Sequence, residues 1–331
     1  MNRRDTLIAL CAFGAAVTPL AGRSQQPGKV RRIAVLLGQA EDDSGTQLRL
    51  AALKEGLAVL GWVEGRNLSI DLRWSAGDVN RASALARELV ALKPELIVCT
   101  TTPVTAALRR ETRTIPIVFT VVTDPVGSGF VKTLAQPGGN ITGFTNLQSS
   151  LIEKCLELLK EIAPRVTRAA VMFNPDTAPY AEYYLRHVKT AALKLGVKTF
   201  TATVRSESEI QEAITGLGRE ADGGLIVMPD SFMTVHRKSA IALTAHYKVP
   251  ATYFAGYWVA DGGLSSYGVD DLELWRRPAS YVDRILRGAK PAELPVQQPS
   301  KFELFVNLKT AKALGLSIRQ SVLLRADKVI E

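Results

Sequence analysis

The chain has 331 residues, 47% of them hydrophobic and 22% charged. It is too long for one ordinary domain and too apolar for a disordered tail, so two compact units are expected. Its formal net charge is +9, yet Lys and Arg stand in ones and twos at helical spacing from Asp or Glu, and no basic patch, aromatic RNA-binding run or zinc spacing marks a nucleic-acid partner.

Residues 1–24 have the three-part plan of a cleavable export signal: Arg3 and Arg4, an apolar run from Leu7 to Leu20, then the small Gly22 and Ser24. Gly14, Thr18 and Pro19 interrupt a run already too short to span a bilayer. The Arg pair permits a twin-arginine route, although Thr6 stands where a large apolar residue is usual. Lipidation at Cys11 is disfavoured by Leu10, because a small residue normally precedes a lipidated cysteine. A periplasmic location follows as the expectation.

From Arg31 the pattern alternates short apolar runs with helical periodicity. "RRIAVLLG" reads as a buried parallel strand, and Leu50, Leu53, Leu57 and Leu60 as a helical stripe over 47–60 that Gly61 stops. The strand "NLSIDLRW", a helix over 80–92, the strand "ELIVCT", the helix "VTAALRRET" and the strand "PIVFTVV" complete a series of βαβ units. Such a series gives a parallel sheet covered by helices on both faces. After "GGNITGFTN" and a helix over 151–162 the plan restarts, with "RAAVMFN", a helix ending "AALKLG", "KTFTATV", "GLIVMPDS" and "VPATYFAG" in the same order. Five elements repeating in order predict an α/β protein of two Rossmann-like lobes with parallel sheets and a central cleft.

Ligands of open α/β sheets bind beyond the carboxyl ends of the strands, so the residues just after each strand become candidate walls. In the first lobe these are Gln39, Thr101, Thr102, Thr123 and Asp124; in the second, Asn174, Asp176, Asp230, Ser231, Tyr253 and Phe254. The set is polar, rich in hydroxyls and tipped with carboxylates and aromatics, which suits a small zwitterion or polyol. Thr101 and Thr102 precede Pro103 and a helix, so hydroxyls and free N–H groups meet at a helix N-terminus that favours a carboxylate. A ligand ammonium would go to Asp124 or Asp230, and Tyr253 or Phe254 would pack a side chain. The cluster "TYFAGYW" otherwise reads as core packing.

Enzyme motifs do not appear. "TDPVGSGF" at 123–130 starts a G-x-G pattern, but Lys132 takes its last position and no long helix follows; G-x-x-x-x-G-K-[ST] and G-x-S-x-G are missing. His187, His236 and His246 match no zinc spacing and read as surface residues. Neither cofactor nor metal is expected. Cys99, within an apolar strand, and Cys155, within a helix, could pair in an oxidising compartment but fit better as buried free thiols.

Read together, "GWVEGRNLSIDLRW" (61–74), "IPIVFTVVTDPVGSGFV" (115–131), "PGGNITG" (137–143), "GGLSSYGVD" (262–270), "RILRGAKPAELPV" and "FELFVNLKTAKALG" resemble the periplasmic solute-binding proteins of ABC importers, in the group with tryptophan- and other aromatic amino-acid-binding members. The resemblance runs collinearly through the chain after its export segment. It implies a type I periplasmic-binding fold whose lobes close on a solute and deliver it to membrane permease subunits, with no catalysis. It further implies a return to lobe I for one helix over 272–286, so that lobe I comprises 30–146 plus about 271–292, and lobe II 147–270 plus about 293–331. By position, Gln39, Thr101, Thr102 and Asp124 would line one wall and Asn174, Asp230 and Ser231 the other. A monomer binding an amino acid or related carboxylate is expected; a periplasmic sensor module and a doubly wound enzyme are the alternatives.

Overall fold

The computed structural model describes residues 30–146 and 149–331. Residues 1–24, where an export signal is expected, lie outside them with Cys11. Lobe I is built on β1 (Arg31–Leu37), α1 (Ser44–Val59), β2 (Leu68–Trp74), α2 (Val79–Ala91), β3 (Leu96–Thr100), α3 (Thr102–Glu111), β4 (Ile117–Val122) and β5 (Ile141–Thr145). Its sheet is parallel throughout, in the order β2-β1-β3-β4-β5. Every residue of β3 is buried, which is why "LIVCT" is continuously apolar instead of alternating.

Lobe II carries α4 (Ser149–Ile162), β6 (Arg168–Phe173), α5 (Ala181–Leu195), β7 (Lys198–Thr203), α6 (Glu207–Gly218), β8 (Gly223–Val227), α7 (Ser231–Val235), α8 (Arg237–His246), β9 (Ala251–Tyr253), α9 (Gly256–Ala260) and β10 (Ser265–Val269). Read from its far edge, the sheet runs β7-β6-β8-β9-β10-β11-β12. The first five strands repeat the lobe I order one for one, so the sequence repeat is a repeat of topology. β11 (Phe302–Asn307), antiparallel to β10, and β12 (Lys328–Ile330) extend that sheet from the C-terminal segment.

Between β10 and β11 the chain returns to lobe I. The expected single helix over 272–286 is two, α10 (Asp271–Arg276) and α11 (Pro278–Leu286), because Pro278 lacks the N–H needed to continue α10 and suits the first turn of a new helix. Leu274, Trp275, Val282 and Ile285 pack with Ile33, Val35 and Leu57 in the lobe I core. The return is longer than expected. Thr142 donates to the Leu294 carbonyl at 2.6 Å, Val296 N–H to Leu134 at 2.7 Å and Gln297 N–H to Gly143 at 2.9 Å, so residues up to 297 remain on lobe I. Three crossings thus join the lobes: after β5, between β10 and α10, and ahead of β11.

Cys99 lies in lobe I and Cys155 in lobe II; both are buried and unpaired with each other. Burial pushes each thiol up to about 12.

Candidate functional site

The carboxyl ends of both sheets face one cavity of about 40 Å³ between the lobes. Lobe I contributes Gln39 after β1, Thr101 and Thr102 after β3, Val121 at the end of β4, and Arg49 from α1; lobe II contributes Thr177, Tyr180, Asp230, Ser231, Phe254 and Tyr257. Asp271, Leu274 and Trp275 close the side nearest the hinge.

Thr101 is the sharpest feature. It caps α3 with φ 71° and ψ 152°, outside the regions an L-residue ordinarily occupies. Its own N–H goes to the Thr120 carbonyl (3.2 Å) and its carbonyl accepts from Thr105, yet its hydroxyl is buried, packed over Gly38, without a hydrogen-bond partner. A buried hydroxyl left unsatisfied costs about 1–3 kcal/mol, so its persistence beside a helix N-terminus marks a position prepared for an acceptor. Next to it, Thr102 Oγ1 joins the Thr123 backbone (3.2–3.3 Å), and Thr100 Oγ1 donates to Gln39 Oε1 at 2.9 Å. These bonds fix the strand ends that carry Thr101.

Charge in the site is concentrated on Arg49. Only 4% of its side chain is exposed; Nε donates to Asp271, Nη1 lies 3.6 Å from Asp43, and the guanidinium sits 3.9 Å over the Tyr257 ring. Burial alone would weaken its protonation, but Asp271, Tyr257 and Asp43 outweigh it and hold the cation firmly charged. Arg237 of lobe II pairs with Asp43 at 2.5 Å and Asp261 at 2.7 Å. Three carboxylates therefore share two guanidiniums. Beyond them the walls turn apolar, through Val121, Leu151, Val269, Leu274, Trp275 and Phe254.

Of the residues read from the sequence, Gln39, Thr101, Thr102, Asp230, Ser231 and Phe254 meet at the cavity. Tyr253 does not. Adjacent strand residues point to opposite faces, and Tyr253 turns into the core, its ring stacked on Trp258 at 4.6 Å and its hydroxyl 3.2 Å from Thr244. Thr123 lies behind the wall, donating to Asn146 Oδ1 at 2.9 Å. Asn174 is buried in the loop after β6, where its N–H donates to Asp230 at 2.6 Å. Asp176 sits at the surface, paired with Arg205 at 3.3 Å.

The two acids expected to receive an ammonium behave differently. Asp124 turns back on its own loop: Oδ1 accepts from Gly127 N–H at 2.8 Å, and the carboxylate occupies the space a Cβ at residue 127 would need. It faces an outer pocket of about 310 Å³ with Tyr180 and Tyr183, next to the main cavity. Asp230 caps α7 and accepts from Asn174, Phe232 and the Thr177 hydroxyl. Burial, opposed by those bonds, pushes it up to about 6. Its lone pairs serve the fold, whereas Asp271, missed in the sequence, reaches the cavity.

A family profile described as "ABC transporter substrate binding protein" matches residues 33–330. The chain belongs to the ABC transporter substrate-binding protein family. These proteins bind small solutes outside the cytoplasm and work with membrane permeases. Among relatives of this substrate-binding protein, a tyrosine-binding protein of Clostridioides difficile is 28% identical over 77% of this chain and 73% of its own. An ABC domain from Streptococcus pneumonia, solved with L-Trp, is 28% identical, covers 91% of this chain and 99% of that one, and superposes with a TM-score of 0.83. A ligand-free, open substrate-binding protein with adhesive properties from Clostridium difficile is 25% identical over 91% and 99% of the two chains, with a TM-score of 0.66. Among the described residues no helix is long and apolar enough to cross a membrane, and no group of His, Cys, Asp and Glu could hold a metal.

Proposed function

We propose that this substrate-binding protein takes a free α-amino acid with an apolar or aromatic side chain and presents it, from the periplasm, to the permease of an ABC importer. The observation carrying this reading is the unpartnered, buried hydroxyl of Thr101, a residue at the N-terminus of α3 that lines a cavity with apolar walls. The solute carboxylate accepts from Thr101 and from the first-turn N–H groups, where the helix dipole favours a negative charge. Its ammonium is drawn to Asp271, the cavity-facing member of a cluster with one carboxylate more than it has guanidiniums. The side chain packs against Phe254, Val121, Leu274 and Trp275. A relative that binds tyrosine and another solved with L-Trp support the same class.

The cavity lies between the lobes, so entry requires the lobes to part and closure to follow. Export by the signal in residues 1–24 and a monomeric chain complete the proposal. A thermal-shift screen of the twenty amino acids alongside sugars and polyols tests it, because a solute that binds only the folded state raises Tm. Apolar or aromatic L-amino acids are expected to raise Tm by several degrees at millimolar concentration, and a response confined to polyols contradicts the proposal.

A further inference from the structure

We infer that Asp43 and Arg237 form a clasp across the cleft that holds part of the ligand-free population closed, making both residues positioning residues for solute binding although neither lines the cavity. Asp43 belongs to lobe I, where it caps α1 through Thr46 N–H (3.1 Å). Arg237 belongs to lobe II, at the start of α8. Their 2.5 Å contact joins side chains only 9% and 7% exposed, where salt screens a charge pair much less than at the surface. A second cross-lobe contact adjoins it, the Arg49 guanidinium of lobe I over the Tyr257 ring of lobe II.

What makes this a clasp instead of a permanent weld is the disposition of the other partners. When the lobes part, Arg237 keeps Asp261 and the Thr234 carbonyl (3.2 Å) within lobe II. Arg49 keeps Asp271 within lobe I, and Asp43 keeps Arg49 and Thr46. No charge is stranded without a partner, so opening avoids the large penalty of an uncompensated buried ion. Closure adds one charge-assisted bond and one cation–π contact to groups already satisfied. Because those contacts need no solute, they act on the empty protein, and a larger closed fraction raises apparent affinity in proportion. That last consequence rests on the solute-binding reading above; the clasp does not.

The test uses double electron–electron resonance on the ligand-free chain, with nitroxides on Arg81→Cys of α2 and Lys238→Cys of α8, both exposed; Cys99 and Cys155 are buried and escape labelling. A short-distance population is expected in the parent. Asp43→Asn, which keeps an oxygen for the Thr46 cap, and Arg237→Gln should each lower the closed-to-open ratio at least about threefold, with the double variant no lower than either single. If Arg237→Gln does not fold, Asp43→Asn decides alone. A parent with no short-distance population, or variants whose distributions coincide with it, overturns the clasp, whereas the thermal-shift screen fails or succeeds independently of it.

Discussion

Thr101 separates a binding role from a folding role, because its hydroxyl satisfies nothing within the protein. Thr101→Ala should therefore leave Tm no lower than that of the parent, while losing a hydrogen bond to a charged carboxylate worth roughly 1.5–3 kcal/mol, or about ten- to a hundredfold in Kd. Thr101→Ser should restore most of it, and calorimetric titration beside a melting curve reads both. Asp230 makes a pH prediction. Its carboxyl titrates near 6 when folded against an ordinary 3.8, so between those values the folded chain keeps a proton the unfolded chain has released, and stability falls as pH rises through that window. Asp43 and Asp270 lie below their ordinary value; their contribution is intact above pH 3.8 and is lost only beneath it, so it does not mask the effect. Urea midpoints should drop from pH 4.5 to 7 in the parent and lose that component of the slope in Asp230→Asn. A parent profile that rises over this range would show Asp230 titrating normally.

At the scale of elements, the approach of α1 to the returning helices depends on Gly56, where a Cβ would come within 2.9 Å of the Arg276 carbonyl oxygen and of the Ala279 methyl. Gly56→Val should destabilise by about 1–3 kcal/mol through overpacking, read as a lower urea midpoint with little change in Kd for any solute that still binds. Helices and strands were legible wherever a buried face imposed its period, as in "RRIAVLLG" and "ELIVCT". β10 was not, because "SSYGV" is small and polar, and Ser265 and Ser266 are buried for packing reasons the pattern does not advertise. That omission hid Asp271: the rule that residues after a strand line the cleft applies to β10 as well. Arg49 was hidden differently, since a cation beside Leu50 in a helical stripe reads as a solvated flank until Asp43 and Asp271 are seen to bury it.

For the whole molecule, the repeat of five elements was readable and the matching strand orders follow from it, since each copy must cover the same two faces of a parallel sheet. The lobe boundaries were less so. Nothing in "AELPVQQ" signals that it stays bonded to β5 through Gln297. The "TDPVGSGF" loop resolves into a turn whose Asp124 serves the backbone, with Gly129 at φ 67° completing it, and Asp124 faces the outer pocket, not the inner cavity. The central claim, that the cleft takes a free amino acid by its carboxylate and ammonium, is tested most directly by isothermal titration of the chain with L-tryptophan and L-tyrosine, beside their α-amides and the corresponding acids lacking the amino group. Binding of at least one free amino acid, weakened tenfold or more by loss of either charged group, is the predicted result. No heat from either free amino acid, or equal affinity for an amide or deaminated analogue, would contradict it.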